Sequence, residues 1–256
     1  MTSGFDPLGD DQVAARISGG ASLAGRADLP ARQCTARVRD LDELAVGRAP
    51  EELDEWPSSR RFLEAIRQLR DEQVRRPSLL PRWTVGHVLT HVARNADSHV
   101  RRTEAAVRNE IVDQYAGGYA GREAEIEAGA GRLAAEIVDD VRHSAHAVEA
   151  AWRSVPGEAW VGRSRDANGR ERALFELPAR RWQEVEVHVV DLGVGRSHRD
   201  WPEAFVVEWL PRTRERMWPL LPPEASDARF DDPRDELAWL YGRLRRDDLP
   251  DPPAWG

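Results

Sequence analysis

The spacing of hydrophobic positions predicts four substantial helices in the middle of the chain. The clearest case follows Thr84, a good helix N-cap, where apolar residues recur every three or four positions on one face. Helices of this kind, joined by moderate connections, pack into an antiparallel bundle. The four helices are expected over about 57–74, 85–108, 121–153 and 178–192. A Gly-rich loop (115–121) precedes the third helix, which Gly129 and Gly131 are expected to break and whose buried face is expected to include Leu133.

The segments on either side of these helices differ from them in amino-acid composition. Residues 1–40 are rich in Gly, Ala, Arg and Asp and are expected to form a partly disordered extension, with a short helix over 10–17. The bundle is assigned to 41–195, with another short helix near its start. Trp and Pro become frequent past Gly195, so 196–256 is predicted to form a small C-terminal module. Asn168-Gly169 indicates a tight turn, as in a small hairpin.

Composition narrows the classes of function. The chain has 256 residues and a net charge of −8, which disfavours general binding to nucleic acid. All 37 basic residues are Arg, so chemistry that needs a lysine amine is excluded. A lone Cys34 excludes intramolecular disulfides and Cys-rich metal sites, and nothing in its surroundings indicates a reactive thiol. No stretch is long enough to cross a bilayer and the N-terminus does not resemble a signal peptide, so a cytoplasmic protein without membrane contact is expected.

Histidines supply the candidate chemistry. Glu184 and His188 are four residues apart, so they share one face of a helix and can chelate one divalent ion. His87 and His91 have the same spacing on another helix. One of them, together with Glu184 and His188, would give three ligands and leave a coordination position open, as catalytic zinc sites require. Spacing does not choose between His87 and His91, and a core or surface role for each residue is the alternative.

Other titratable residues carry weaker signals. Asp191 lies three residues past His188, where it could orient the metal-bearing face or be a simple surface charge. His143 and His146 are predicted to face solvent, because the other face of their helix is apolar. His99 and His198 have no companions in the sequence, so no functional role is predicted for them.

Four segments together resemble the mycothiol-dependent maleylpyruvate isomerase family, part of the wider DinB-like group of metal-binding four-helix bundles. They are SLLPRWTVGHVLTHVARNAD (78–97), YAGGYAGREAEIEAGAGR (115–132), ELPARRWQEVEVHVVDLG (176–193) and DWPEAFV (200–206). The resemblance covers about 57–210, with an echo in ELAWLYGRL (236–244). It implies that a divalent metal, usually zinc, is held by His91, Glu184 and His188.

The resemblance also implies a function. Mycothiol would be the thiol cosubstrate, and Arg243 would act on a small electrophilic substrate. The family normally has a mixed α/β segment in its C-terminal domain, whereas 219–235 is predicted to be too short and too rich in Pro and Asp for several strands. The C-terminal module is therefore expected to be trimmed, which puts the role of Arg243 and the isomerase substrate in question.

Three functions remain open at the level of sequence. The first is cis–trans isomerisation by addition of the mycothiol thiolate, the second is a thiol S-transferase or thiol-exchange enzyme, and the third is a non-catalytic metal-binding bundle. Substrate carboxylates would need cations, and only arginine supplies a permanent one here. The candidate arginines are Arg94, Arg122, Arg180, Arg181 and Arg243, and for all of them except Arg243 a surface role is the favoured interpretation. The sequence does not indicate the oligomeric state.

Overall fold

The protein is described by a computed structural model that covers residues 57–225 and 228–253. Within those residues it forms eight α-helices and one two-stranded sheet, which confirms the predicted mainly α class. The predictions for 1–40, including Cys34, and for the short helix after residue 40 lie outside the described residues. The helices are α1 (Pro57–Ile66), α2 (Asp71–Val74), α3 (Val85–Val107), α4 (Gly118–Ala130), α5 (Ala134–Arg153), α6 (Leu177–Asp191), α7 (Glu203–Met217) and α8 (Pro233–Leu240).

Four of these helices form the bundle. The long α3 packs against α5 and α6, and α1 closes the ring by packing against both of them. Their apolar faces meet in one core, so the helical periodicity of the sequence becomes a continuous buried stripe. Fully buried members of this core include Ile66, Val88, Leu89, Val92 and Ile137.

The first predicted helix is interrupted, and its predicted continuity from 57 to 74 is wrong. Helix α1 ends at Ile66 and α2 restarts at Asp71, where the side chain of Gln73 accepts a hydrogen bond from the backbone of Arg70. The carboxylate of Asp71 also accepts a hydrogen bond of 2.8 Å from the backbone N–H of Ala134, at the start of α5. This contact satisfies an N–H that no helix can satisfy internally, and the spacing of apolar residues does not reveal it.

The break in the third predicted helix is confirmed, with two corrections nearby. Helix α4 ends at Ala130 and α5 begins at Ala134, but α4 already starts at Gly118, inside the predicted loop. Leu133 was expected on the buried face of α5; it is 51% exposed because it precedes the helix as its N-cap residue.

A small hairpin and the C-terminal module complete the fold. Strands β1 (Arg163–Arg165) and β2 (Glu171–Ala173) pair antiparallel around the predicted Asn168-Gly169 turn. The described part of 196–253 contains α7, α8 and 3₁₀ turns but no strand, as expected for 219–235. Trp201 and Trp239 are buried in a core that also includes Val187 and Val190 of α6, so this segment packs directly on the bundle.

None of the helices in the described ranges combines the length and the apolar character that a bilayer crossing requires.

Candidate metal centre

The start of α3 fixes which histidine turns inward. The Thr84 hydroxyl caps the helix by accepting a hydrogen bond from the backbone N–H of His87, and the Nδ1 atom of His87 lies 2.7 Å from the same hydroxyl. The His87 ring is therefore engaged at the cap, and its Nε2 atom faces Glu127 at 3.4 Å. His91 lies one turn further along α3, where it is buried against α6.

His91, Glu184 and His188 converge. The Nε2 atom of His91 is 2.6 Å from the carboxylate of Glu184, and the Nε2 atom of His188 is 3.4 Å from the same oxygen. The two imidazole rings meet edge to face, with centroids 4.8 Å apart. One ligand atom from each residue lies within 4.8 Å of the others. Among the described residues, no arginine lies within ion-pair distance of Glu184, so its carboxylate faces the two imidazoles.

The protonation states follow from burial and from this shared carboxylate. Burial lowers the pKa of His91 to about 4, against the opposing pull of Glu184. Burial also lowers the pKa of His188, but Glu184 and Asp191 outweigh it and the pKa lies above its ordinary value. Burial would raise the pKa of Glu184, but the two histidines hold it well below its usual range. Near neutral pH, the site therefore holds a neutral His91 beside an ionised Glu184.

Asp191 orients His188 from behind. Its carboxylate accepts a hydrogen bond of 2.8 Å from Nδ1 of His188, which leaves Nε2 directed at Glu184. Arg243 in turn donates from Nε and Nη2 to the two oxygens of Asp191, at 2.9 and 2.8 Å. The C-terminal module thus reaches the centre through a buried ion pair with one of its supporting residues. The predicted contact of Arg243 with substrate stays a prediction.

A second group of side chains lies beside His91. The Trp83 ring is tilted against the imidazole, with centroids 5.5 Å apart. The Nη2 atom of Arg122, on α4, is 3.2 Å from Nδ1 of His91. Arg181 of α6 is buried nearby and donates to the carbonyl of Val92 and to the side chain of Asn95. These residues form one wall of the centre.

The remaining histidines lie elsewhere. His143 and His146 are exposed on α5, as predicted. His99 is buried against Trp152, with ring centroids 5.7 Å apart, and His198 binds the carboxylate of Asp235 at 2.7 Å. Among the described residues, the His91, Glu184 and His188 group alone gathers three donors of the types that hold metal.

The donor set fits a divalent metal such as zinc. Two imidazoles and one carboxylate are common zinc ligands, and three protein ligands leave a position for a further ligand. A buried carboxylate needs a positive partner, and here it has imidazoles rather than arginine around it. Asp191 accepts a hydrogen bond from His188 of the outer kind that fixes histidines in metal sites.

Comparison with known proteins places the chain in a family. The family described as the mycothiol maleylpyruvate isomerase N-terminal domain matches residues 54–193, more than half of the sequence. The chain belongs to this family. The match spans α1 to α6 and so includes all three residues of the candidate metal centre.

Solved structures show that the wider fold is also shared. The crystal structure of the mycothiol-dependent maleylpyruvate isomerase is 22% identical in sequence, with a TM-score of 0.69, and the match covers 89% of this chain and 98% of that chain. A histidine-to-alanine variant of that isomerase gives the same identity and coverage with a TM-score of 0.68. At this identity the likeness shows the fold alone. No curated protein matches the chain.

Two aromatic residues near the centre, Trp83 and Tyr115, were not predicted from the sequence as site residues. Trp83 precedes the cap of α3, and Tyr115 opens the Gly-rich stretch more than 60 residues before Glu184. The available signal was the presence of large aromatic residues shortly before the starts of α3 and α4. Their position beside His91 depends on how α3 and α4 meet.

Proposed function

We propose that this protein is a metal-dependent enzyme that uses mycothiol to isomerise maleylpyruvate or a similar cis-unsaturated acid. The convergence of His91, Glu184 and His188 is the observation that carries the proposal. Membership of the mycothiol maleylpyruvate isomerase family supports the choice of thiol and substrate class. The proposed ligands are those three residues, and zinc is the proposed metal.

The chemistry needs a thiolate near neutral pH, where a free thiol is mostly protonated. A divalent metal bound at this centre would supply the positive charge that stabilises a coordinated thiol as its thiolate. The thiolate adds to the cis double bond of the substrate, the former double bond rotates, and elimination of the thiolate gives the trans isomer. The thiol is regenerated, so the reaction consumes no other reagent.

The protein's own residues prepare this step. Asp191 holds the His188 ring so that Nε2 points to the ligand position, and Arg243 holds Asp191 in turn. Trp83 packs against the His91 imidazole, with ring centroids 5.5 Å apart. The same buried environment keeps His91 neutral, as a metal ligand must be.

The metal assignment is tested by measuring metal content. We expect protein purified without chelator to contain about one divalent metal per chain, and His91→Ala, Glu184→Ala and His188→Ala each to lose it, because each removes one of three ligands. His87→Ala is the matched control, since His87 is engaged at the helix cap, and it should retain metal. Full metal occupancy in all three ligand variants would overturn the assignment.

The reaction is tested by mass spectrometry after incubation with mycothiol and maleylpyruvate. Isomerisation gives a product of unchanged mass, whereas a stable thioether adduct would favour the alternative, an S-transferase. The absence of strands in the described part of 219–235 favours that alternative, because a changed C-terminal module would admit a different acceptor. A protein that contains no metal and converts neither substrate would be a non-catalytic bundle.

A further inference from the structure

Three arginines surround the candidate metal centre, and two of them are occupied by the fold. Arg243 is bound by both oxygens of Asp191. Arg181 is buried and donates to the Val92 carbonyl and the Asn95 side chain. Arg122 is different, because no carboxylate in the described part of the chain lies within ion-pair distance of its guanidinium.

The surroundings of Arg122 hold its charge in place without neutralising it. Its guanidinium carbon lies 5.5 Å from the centre of the Trp83 ring and 5.8 Å from that of Tyr115. Contacts between a cation and an aromatic face position the cation while leaving several N–H donors unused. One terminal nitrogen lies 3.2 Å from Nδ1 of His91, and the side chain is half-buried rather than fully solvated.

The charge balance of the centre also favours an anionic ligand. The charges of Asp191 and Arg243 cancel each other, and Glu184 would offset only one of the two positive charges of a bound divalent metal. Arg181 and Arg122 add two further positive charges. With a divalent metal bound, the centre would therefore be cationic within a chain whose net charge is −8.

The contact between Arg122 and His91 can be exchanged for one with a ligand. A guanidinium only donates hydrogen bonds, so Nδ1 of His91 must be the acceptor in this contact. When Nε2 of a neutral histidine ligates a metal, Nδ1 carries the proton and cannot accept. With a metal bound, the Arg122 N–H that faces His91 would therefore be free to bind another acceptor.

We propose that Arg122 binds a carboxylate of the substrate and is the residue through which this centre distinguishes an anionic electrophile from a neutral one. This inference rests on the proposed function, since it assigns a specificity-determining residue at the same centre. A guanidinium between two aromatic rings and beside a metal ligand is suited to fork-like recognition of a carboxylate.

The test uses maleate, without thiol, as a non-reacting dianion, and dimethyl maleate as its uncharged counterpart. Calorimetric titration of the zinc-loaded protein should show that maleate binds and that dimethyl maleate binds more weakly. Arg122→Met should weaken maleate binding about tenfold or more, equivalent to about 1.4 kcal/mol, without changing zinc content. Arg122→Lys keeps the charge but loses the forked pair of N–H donors, so its affinity for maleate should lie between those of the wild type and Arg122→Met.

The matched control is Arg142→Met, which removes an exposed arginine paired with Asp139 on α5 and should leave maleate binding unchanged. In steady-state assays, Arg122→Met should raise KM for the dicarboxylate more than it lowers kcat. Maleate binding equal to that of the wild type in Arg122→Met would overturn the inference, as would an equal loss in Arg142→Met.

The two proposals fail separately. If the wild-type enzyme isomerises the substrate while Arg122→Met retains both KM and maleate affinity, the function stands and the assignment of Arg122 is wrong. If the wild type isomerises nothing with mycothiol but Arg122→Met still loses maleate selectively, the carboxylate site stands and the proposed reaction is wrong.

Discussion

At the scale of single residues, the candidate centre depends on side chains that hold other side chains. The carboxylate of Asp191 fixes the His188 ring and is itself fixed by Arg243. Hydrogen bonds of this outer kind keep a ligating histidine in the right tautomer and orientation. Sequence spacing indicated that Asp191 could have this role, and the structure places its oxygen 2.8 Å from the imidazole.

We expect Asp191→Asn to lower zinc affinity by about 10- to 100-fold, because the ring loses its charged acceptor and Arg243 loses its partner. Competition with a chromophoric chelator measures the affinity. Asp139→Asn removes a carboxylate from the exposed face of α5 and should have no effect. Equal affinity in wild type and Asp191→Asn would show that Asp191 does not orient His188.

His99 is expected to make stability depend on pH. Burial lowers its pKa well below 6.5, so the unfolded chain binds a proton below about pH 6.5 that the folded protein does not bind. Stability therefore falls as the pH drops through this window. His99→Phe should reduce the loss in unfolding free energy between pH 7 and pH 5 by about 2 kcal/mol.

Urea unfolding at the two pH values measures the effect of His99. Val207→Ala provides the control, since it changes an exposed residue with no titratable group and should leave the pH dependence as in the wild type. The same loss of stability in His99→Phe and in the wild type would contradict this account.

At the scale of elements, the close approach of α3 and α4 positions Arg122 beside His91. Gly86, in the first turn of α3, permits this approach, because a Cβ atom there would lie 2.4 Å from the carbonyl oxygen of Ala130. Backbone atoms cannot yield as a flexible side chain can. The sequence predicted both helices but contained no signal for their separation.

Gly86→Ala should destabilise the protein by about 1–3 kcal/mol, because α4 must move away from α3. Thermal or urea unfolding gives the value. Gly131→Ala is the control, since a Cβ atom there meets nothing within 4 Å and the backbone is already in the right-handed region. If the Gly86→Ala protein were as stable as Gly131→Ala, the space between α3 and α4 would accommodate a Cβ atom, and this explanation would be wrong.

At the scale of the whole molecule, α6 joins the bundle to the C-terminal module. One face of this helix carries Glu184 and His188, and another places Val187 and Val190 in the core that contains Trp201. The indole N–H of Trp201 donates to the Glu186 carbonyl at 2.7 Å. We therefore expect the predicted boundary between 41–195 and 196–256 to mark a change in amino-acid composition, and the two parts to fold as one unit.

Trp201→Ala should reduce the free energy of unfolding by about 3–5 kcal/mol. We expect one unfolding transition for the whole protein, with its midpoint at a lower urea concentration than in the wild type. Circular dichroism and intrinsic fluorescence followed together in urea measure it. Val207→Ala, at an exposed position of α7, should be nearly neutral. If Trp201→Ala shifted only part of the signal and left the rest at the wild-type midpoint, the module would be a separate domain.

The sequence by itself determined the helical class, the break near Gly129, the Asn168-Gly169 hairpin and the spacing of Glu184 and His188, because these depend on contacts within a few residues. The family resemblance selected His91 over His87. The tertiary structure decided that His91 meets the α6 pair, that Arg243 binds Asp191 and that Arg122 is left without an acid among the described residues. These relations join residues far apart in the chain, and they are set by how helices pack rather than by any local preference of the backbone.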